Sequence, residues 1–108
     1  MISTMMTALA LVGGGQATDS TRSAREAFTS CLRAYVTQSV EAQKPLAEFQ
    51  TEYPTQCSTQ EAAFRAAVIR RETTARMARA AAEQSARDEV EEARTNFSER
   101  FQMMIEPQ

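Results

Sequence analysis

Residues 72–88, ETTARMARAAAEQSARD, sit in the middle of a run from Thr59 to Met104 that holds neither glycine nor proline. How this stretch is read decides the fold. Ala, Arg and Glu dominate the run, and all three are good helix formers. Phe64, Val68, Ala75, Ala82, Ala86, Ala93, Phe97 and Met104 fall within about a third of the circumference at helical spacing, as a core-facing helix requires. Thr73-Thr74 is a weak spot and Ser85-Ala86-Arg87-Asp88 resembles a helix start, but neither is a strong break. The pattern therefore predicts an all-α fold, a helical hairpin with one long C-terminal helix, kinked at most, reaching roughly 69 Å at about 1.5 Å per residue. The alternative is a fold-back that makes a three-helix bundle.

Upstream of the run, Ser58 followed three residues later by Glu61 has the form of a capping box. Pro45 to Tyr53 (PLAEFQTEY) reads as a short helix with Leu46 and Phe49 on one edge, stopped by Pro54. Residues 20–43 form a clean amphipathic pattern: Ala24, Phe28, Cys31, Leu32, Tyr35 and Ser39 share one arc, and Glu26, Ser30, Arg33, Thr37, Glu41 and Lys44 the other. Asp19, Ser20 or Thr21 is the expected cap and Pro45 the stop. The first helix spans roughly 36 Å, so it cannot cover the long one. A second apolar stripe, Val90, Phe97, Phe101, Met104 and Ile105, needs another partner.

The opening residues MISTMMTALALVGGGQA contain an apolar run, Met5 to Val12, followed by small residues at Gly15 and Ala17. That is the form of a signal peptide cleaved after Ala17, without the usual basic residue ahead of the run. The run is too short to span a bilayer, which needs ~20 apolar residues. Three consecutive glycines disfavour a helix that continues from this segment into the domain. The expected division is a signal peptide over residues 1–17 and a single domain over residues 18–108, periplasmic or secreted. Export makes a Cys31–Cys57 disulfide the favoured state of the two cysteines; in a reducing compartment each is a small core residue. Geometry allows the bond. Cys31 lies ~18 Å before the end of the first helix, and residues 45–56 can return that distance.

The 108 residues carry 12 basic and 14 acidic side chains, and 11 of the bases are arginine. A net charge of −2 argues against a global nucleic-acid binder. The absence of histidine removes the commonest general base and metal ligand. Two distant cysteines make no zinc site, and the glycine run lacks the Lys-Ser or Lys-Thr of a phosphate loop. Among the acids Glu83, Asp88, Glu89, Glu91 and Glu92, the pair Asp88 and Glu92 shares a helical face, which reads as a solvated surface flanked by Arg87 and Arg94. No catalytic residue, cofactor or metal is expected.

Charge order along the run carries more. Arg65, Arg70, Arg71, Arg76 and Arg79 stand against Glu72 alone, whereas acids dominate residues 83–92, with Ala80, Ala81 and Ala82 between. Two such helices crossing antiparallel at the alanines would match Arg70, Arg71, Arg76 and Arg79 with Asp88, Glu89 and Glu92 of a second copy. Pairs within one chain, Arg79 with Glu83 and Arg87 with Glu91, compete for the same charges. The arginine stretch lacks the interleaved aromatics of a nucleic-acid surface, and its net excess is small for an acidic membrane.

AREAFTSCL around the first cysteine, QCSTQEAAFRAAVI around the second, and the later RAAAEQ and EVEEARTNF segments give the chain a resemblance. It resembles a group of small exported two-cysteine helical proteins of Gram-negative bacteria with no assigned activity. The resemblance implies an envelope location and a disulfide, and no reaction. Where that group would carry a Gly-x-Ser break, this chain has Arg76-Met77-Ala78. In size and helicity it is also similar to periplasmic hairpin chaperones, without the Leu-Thr-x-x-Gln motif of one such family. The functional expectation is a non-enzymatic interaction or self-assembly module whose partner is a protein, including a second copy as an antiparallel homodimer. The second expectation is a holdase-like binder using Phe97, Phe101, Met103 and Met104.

Overall fold

A computed structural model describes residues 13–106, with side chains from Asp19 onward. The described residues form four α-helices and one short 3-10 turn: α1 (Gly13–Glu41), α2 (Leu46–Glu52), the turn Tyr53–Thr55, α3 (Ser58–Thr74) and α4 (Arg79–Ile105). Helices α1, α3 and α4 pack against one another as an antiparallel three-helix bundle, and α2 closes one end. The expected all-α fold is present in its fold-back form.

The long run breaks at residues 75–78. Arg76 takes φ 72°, the left-handed region. Its N–H donates to the Thr73 carbonyl (2.9 Å), and the Met77 N–H donates to the Glu72 carbonyl (2.9 Å). These two bonds form a Schellman ending, the usual way a helix satisfies its last carbonyls. Ala78 is extended (φ −61°, ψ 146°) and starts α4 without a side-chain cap. A left-handed arginine costs about 1–2 kcal/mol. Against that, folding back buries Val90, Phe97 and Phe101 to 5 %, 3 % and 0 % exposure. At about 1.5–3 kcal/mol for each large apolar side chain, burial outweighs the strained residue. Straight continuation is the better local choice and the worse global one.

The first helix follows the expected amphipathic arc: Phe28, Leu32 and Ser39 are buried, Ala24, Cys31 and Tyr35 are partly buried, and Val36, outside the expected set, is buried with them. Its start does not match. α1 begins at Gly13, so it runs through the glycines expected to disfavour helix, and Asp19, Ser20 and Thr21 lie inside it rather than capping it. Propensity is a weak prior that context overrides in a helix of 29 residues. Residues 1–12 of the expected signal peptide lie outside the described residues. At its other end α1 closes with a second Schellman pattern, the Gln43 N–H on the Val40 carbonyl and the Lys44 N–H on the Ser39 carbonyl, before Pro45 opens α2.

The core has two layers. Near the middle, Phe28 faces Phe64 at 5.8 Å between ring centroids. Toward the α2 end, Phe49 lies between Phe101 (3.9 Å) and Tyr53 (4.8 Å), with Tyr35 beside it. Ala82 and Ala86 are fully buried, and their small side chains let α4 approach its neighbours closely. Cys31 and Cys57 are joined, with Sγ atoms 2.07 Å apart. The disulfide ties the start of α3 to the middle of α1.

Candidate functional site

The start of α3 departs from the expected capping box. Cys57 occupies the N-cap position in a left-handed conformation, and no side chain caps the helix. The Glu61 carboxylate is engaged elsewhere. Its Oε2 accepts from Arg65 (2.8 Å) and its Oε1 from Nε of Arg94 on α4 (2.7 Å). Arg94 also donates from Nη1 to the Tyr53 carbonyl (3.1 Å) and from Nη2 to the Gln56 carbonyl (2.6 Å). The Tyr53 hydroxyl donates back to the Arg94 carbonyl (2.7 Å). The guanidinium lies 5.3 Å from the Phe28 ring centroid and 5.4 Å from that of Tyr53. Arg94 thus latches the connecting segment between α2 and α3 onto α4.

Burial pushes the Tyr53 phenol up to about 12, against the opposing pull of Arg94. For Glu61 burial is the largest single influence and works upward. The hydrogen bonds and charges of Arg65 and Arg94 together outweigh it and hold the carboxyl below its ordinary range. Sequence patterning named neither Arg94 nor Tyr53 as a key residue. The one signal for Arg94 is its place beside Val90, Ala93 and Phe97, where a charge needs a partner.

A second constellation braces the middle of the bundle. Glu89 accepts from Arg71 of α3 (2.7 Å) and from Arg25 of α1 (2.8 Å), and Arg71 also meets Glu72 (2.8 Å). Burial opposes ionisation of Glu89, but Arg71 and Arg25 hold its carboxyl low. A third lies at the α2 end, where the Lys44 ammonium and the Tyr35 hydroxyl both donate to Glu52. The bond from Lys44 is the main reason that the Glu52 carboxyl sits below its usual range.

These placements revise the self-association surface. The arginine-rich and acidic halves do lie antiparallel, but within one chain: Arg71 meets Glu89 across the α3–α4 hairpin. Of the three alanines, Ala82 is buried in the bundle while Ala80 and Ala81 are exposed. Within the chain, the close approach at Ala82 is between neighbouring helices, because the turn at residues 75–78 folds α4 back. Arg79 pairs with Glu83 (3.2 Å), whereas Arg87 bonds Gln84 rather than Glu91. Asp88 accepts from Gln84 (2.8 Å), and Glu92 is exposed.

The apolar client-binding surface is revised too. Phe97 and Phe101 belong to the core, at 3 % and 0 % exposure, because the fold-back gives their stripe a covering. Met103 (63 %) and Met104 (57 %) remain exposed, with Ile105 and Leu46 half-exposed at the same end of the bundle.

An open groove of about 670 Å³ runs along α4 between Asp88, Glu91, Glu92, Thr95, Asn96 and Glu99. Among the described residues no group of three or more His, Cys, Asp or Glu side chains is placed to hold a metal ion. No helix among them is long and apolar enough to cross a membrane. At the fold-back end, Arg70, Thr73 and Arg79 line a smaller groove of about 320 Å³ with Ala66 and Ile69. No family model, curated protein or solved structure matches the chain.

Proposed function

We propose that the chain is a non-enzymatic, exported helical module that acts by binding through its surface, as a member of the small two-cysteine envelope proteins it resembles. One observation carries this reading most directly. The charged side chains that meet at the centre of the bundle, Arg94 with Glu61 and both Arg71 and Arg25 with Glu89, are engaged across helices in bracing it. The Cys31–Cys57 bond supports an oxidising location, where such a fastening persists.

Intact-mass measurement on protein recovered from its native host, with and without reductant, tests export. The expected species begins at Thr18 and is lighter by two hydrogens than its reduced form. A chain that keeps Met1 and carries two free thiols overturns the reading.

The exposed Met103 and Met104 favour a second reading, a holdase-like binder that uses an adaptable methionine end. With Phe97 and Phe101 in the core, that surface is Met103, Met104, Ile105 and Leu46. Substoichiometric protection of an aggregating client supports the holdase. No protection at equimolar ratio leaves the binding module.

A further inference from the structure

We propose that the fold-back end of the bundle docks on an anionic lipid surface. Along a continuous helix the arginine excess is small for an acidic membrane, but the turn at residues 75–78 gathers at one end arginines that such a helix would spread along and around its length. Arg70 and Arg79 line one open groove between α3 and α4, and Arg76 stands at the turn itself, next to Met77, which is 38 % exposed. Arg70 and Arg76 are exposed and have no ion-pair partner among the described residues. Among the described residues Arg79 has only Glu83, an anion easily exchanged for another because the arginine is 71 % exposed.

Charge is distributed to orient the molecule. Residues 70–83 carry four arginines against two glutamates, and both glutamates are already paired, Glu72 with Arg71 and Glu83 with Arg79. Residues 88–106, which run away from the turn along α4, carry six acids against two arginines. An anionic bilayer attracts the first end and repels the second, so the bundle meets it turn first. Arginine guanidinium matches phosphate oxygens in a two-pronged way. Met77 supplies an apolar side chain at the same tip, able to enter the headgroup layer. An acidic polypeptide would also answer the charge but gives Met77 no comparable site.

This inference rests on the reading of the chain as a surface-binding module and names an occupant for one end. Its test is independent of the mass measurement. The oxidised protein is co-sedimented with vesicles of one part phosphatidylglycerol to two parts phosphatidylcholine, and with vesicles of phosphatidylcholine alone. Binding is expected to the first and not the second, weakening as salt shortens the reach of exposed charges. R70A/R76A should lower the vesicle partition about thirtyfold, at about fivefold for each basic residue removed near the surface. Both side chains are solvent-facing, and unchanged circular dichroism checks that the variant is folded. R87A makes the same type of charge change about 12 Å along α4 from Arg79 and should lose less than about fivefold. Equal binding to both vesicle types overturns the proposal. So does an equal loss in R87A, or binding to an acidic peptide without binding to vesicles.

Discussion

Replacing Arg94 with methionine isolates the latch that holds the α2–α3 connection. The stem keeps its volume, and the variant loses a charge and three donated bonds, to Glu61 Oε1 (2.7 Å), the Tyr53 carbonyl (3.1 Å) and the Gln56 carbonyl (2.6 Å). A hydrogen bond from a charged donor contributes about 1.5–3 kcal/mol, and removing one partner of a fully buried ion pair costs about 3–5 kcal/mol. Here the pair is 15 % and 22 % exposed, and Glu61 keeps Arg65, so the upper figure does not apply. The expected loss is about 2–3 kcal/mol, a large share of the roughly 5–15 kcal/mol that holds a domain together. Urea unfolding of the oxidised protein, followed by circular dichroism, should show the midpoint falling by about 1–2 M with the slope unchanged. Glu61→Gln alone and combined with Arg94→Met should give a coupling of about 1–2 kcal/mol. Amide exchange at Gln56, whose N–H donates to the Tyr53 carbonyl, should accelerate in the variant. A loss under about 0.5 kcal/mol, with exchange at Gln56 unchanged, would refute the latch.

Five other expectations are simpler. Cys31 and Cys57 are 26 residues apart, so the chain-entropy relation gives about 3.5 kcal/mol for their bond. Melting with and without reductant should differ by roughly 15–20 °C, and coincident curves would mean the bond contributes nothing. Glu61 and Glu89 are held below their ordinary 4.5, so their contribution is present above that pH and is lost as pH falls through the lower folded values; acid titration of unfolding should show this, and Arg94→Met should diminish it. Tyr53 acts in the opposite sense: raised from 10.0 to about 12, it contributes below pH 10 and loses that contribution as pH climbs to about 12, a step absent from Tyr53→Phe. Arg76→Gly should stabilise by about 0.5–1 kcal/mol in chemical denaturation by relieving a left-handed arginine, whereas destabilisation would mean the turn needs that side chain. Ser39 is 1 % exposed with no partner for its hydroxyl among the described residues, so Ser39→Ala should cost nothing and gain up to about 1 kcal/mol by the same measurement.

The buried face of α1 was legible in the sequence because it depends on one period alone. Phe28, Leu32 and Ser39 share an arc at 100° per residue, and the bundle buries that arc. The cysteine pairing was favoured in the sequence by the export pattern and permitted by the reach of residues 45–56, and the sulfurs meet. The Arg–acid complementarity of the long run was also visible, but not which strands of helix it joins. Two antiparallel copies and one folded hairpin satisfy the same charges.

Composition and helical period thus determined an all-helical chain and the inward face of its first helix, and chain reach allowed the bridge between Cys31 and Cys57 that the export pattern favoured. Tertiary structure decided the break at residues 75–78, the burial of Phe97 and Phe101 and the Arg94 latch. The reason is the range of the forces. Helix propensity reads a few neighbours and favours continuing through Ala75–Ala78, whereas the gain from covering Val90, Phe97 and Phe101 exists only once α1 and α2 lie beside them.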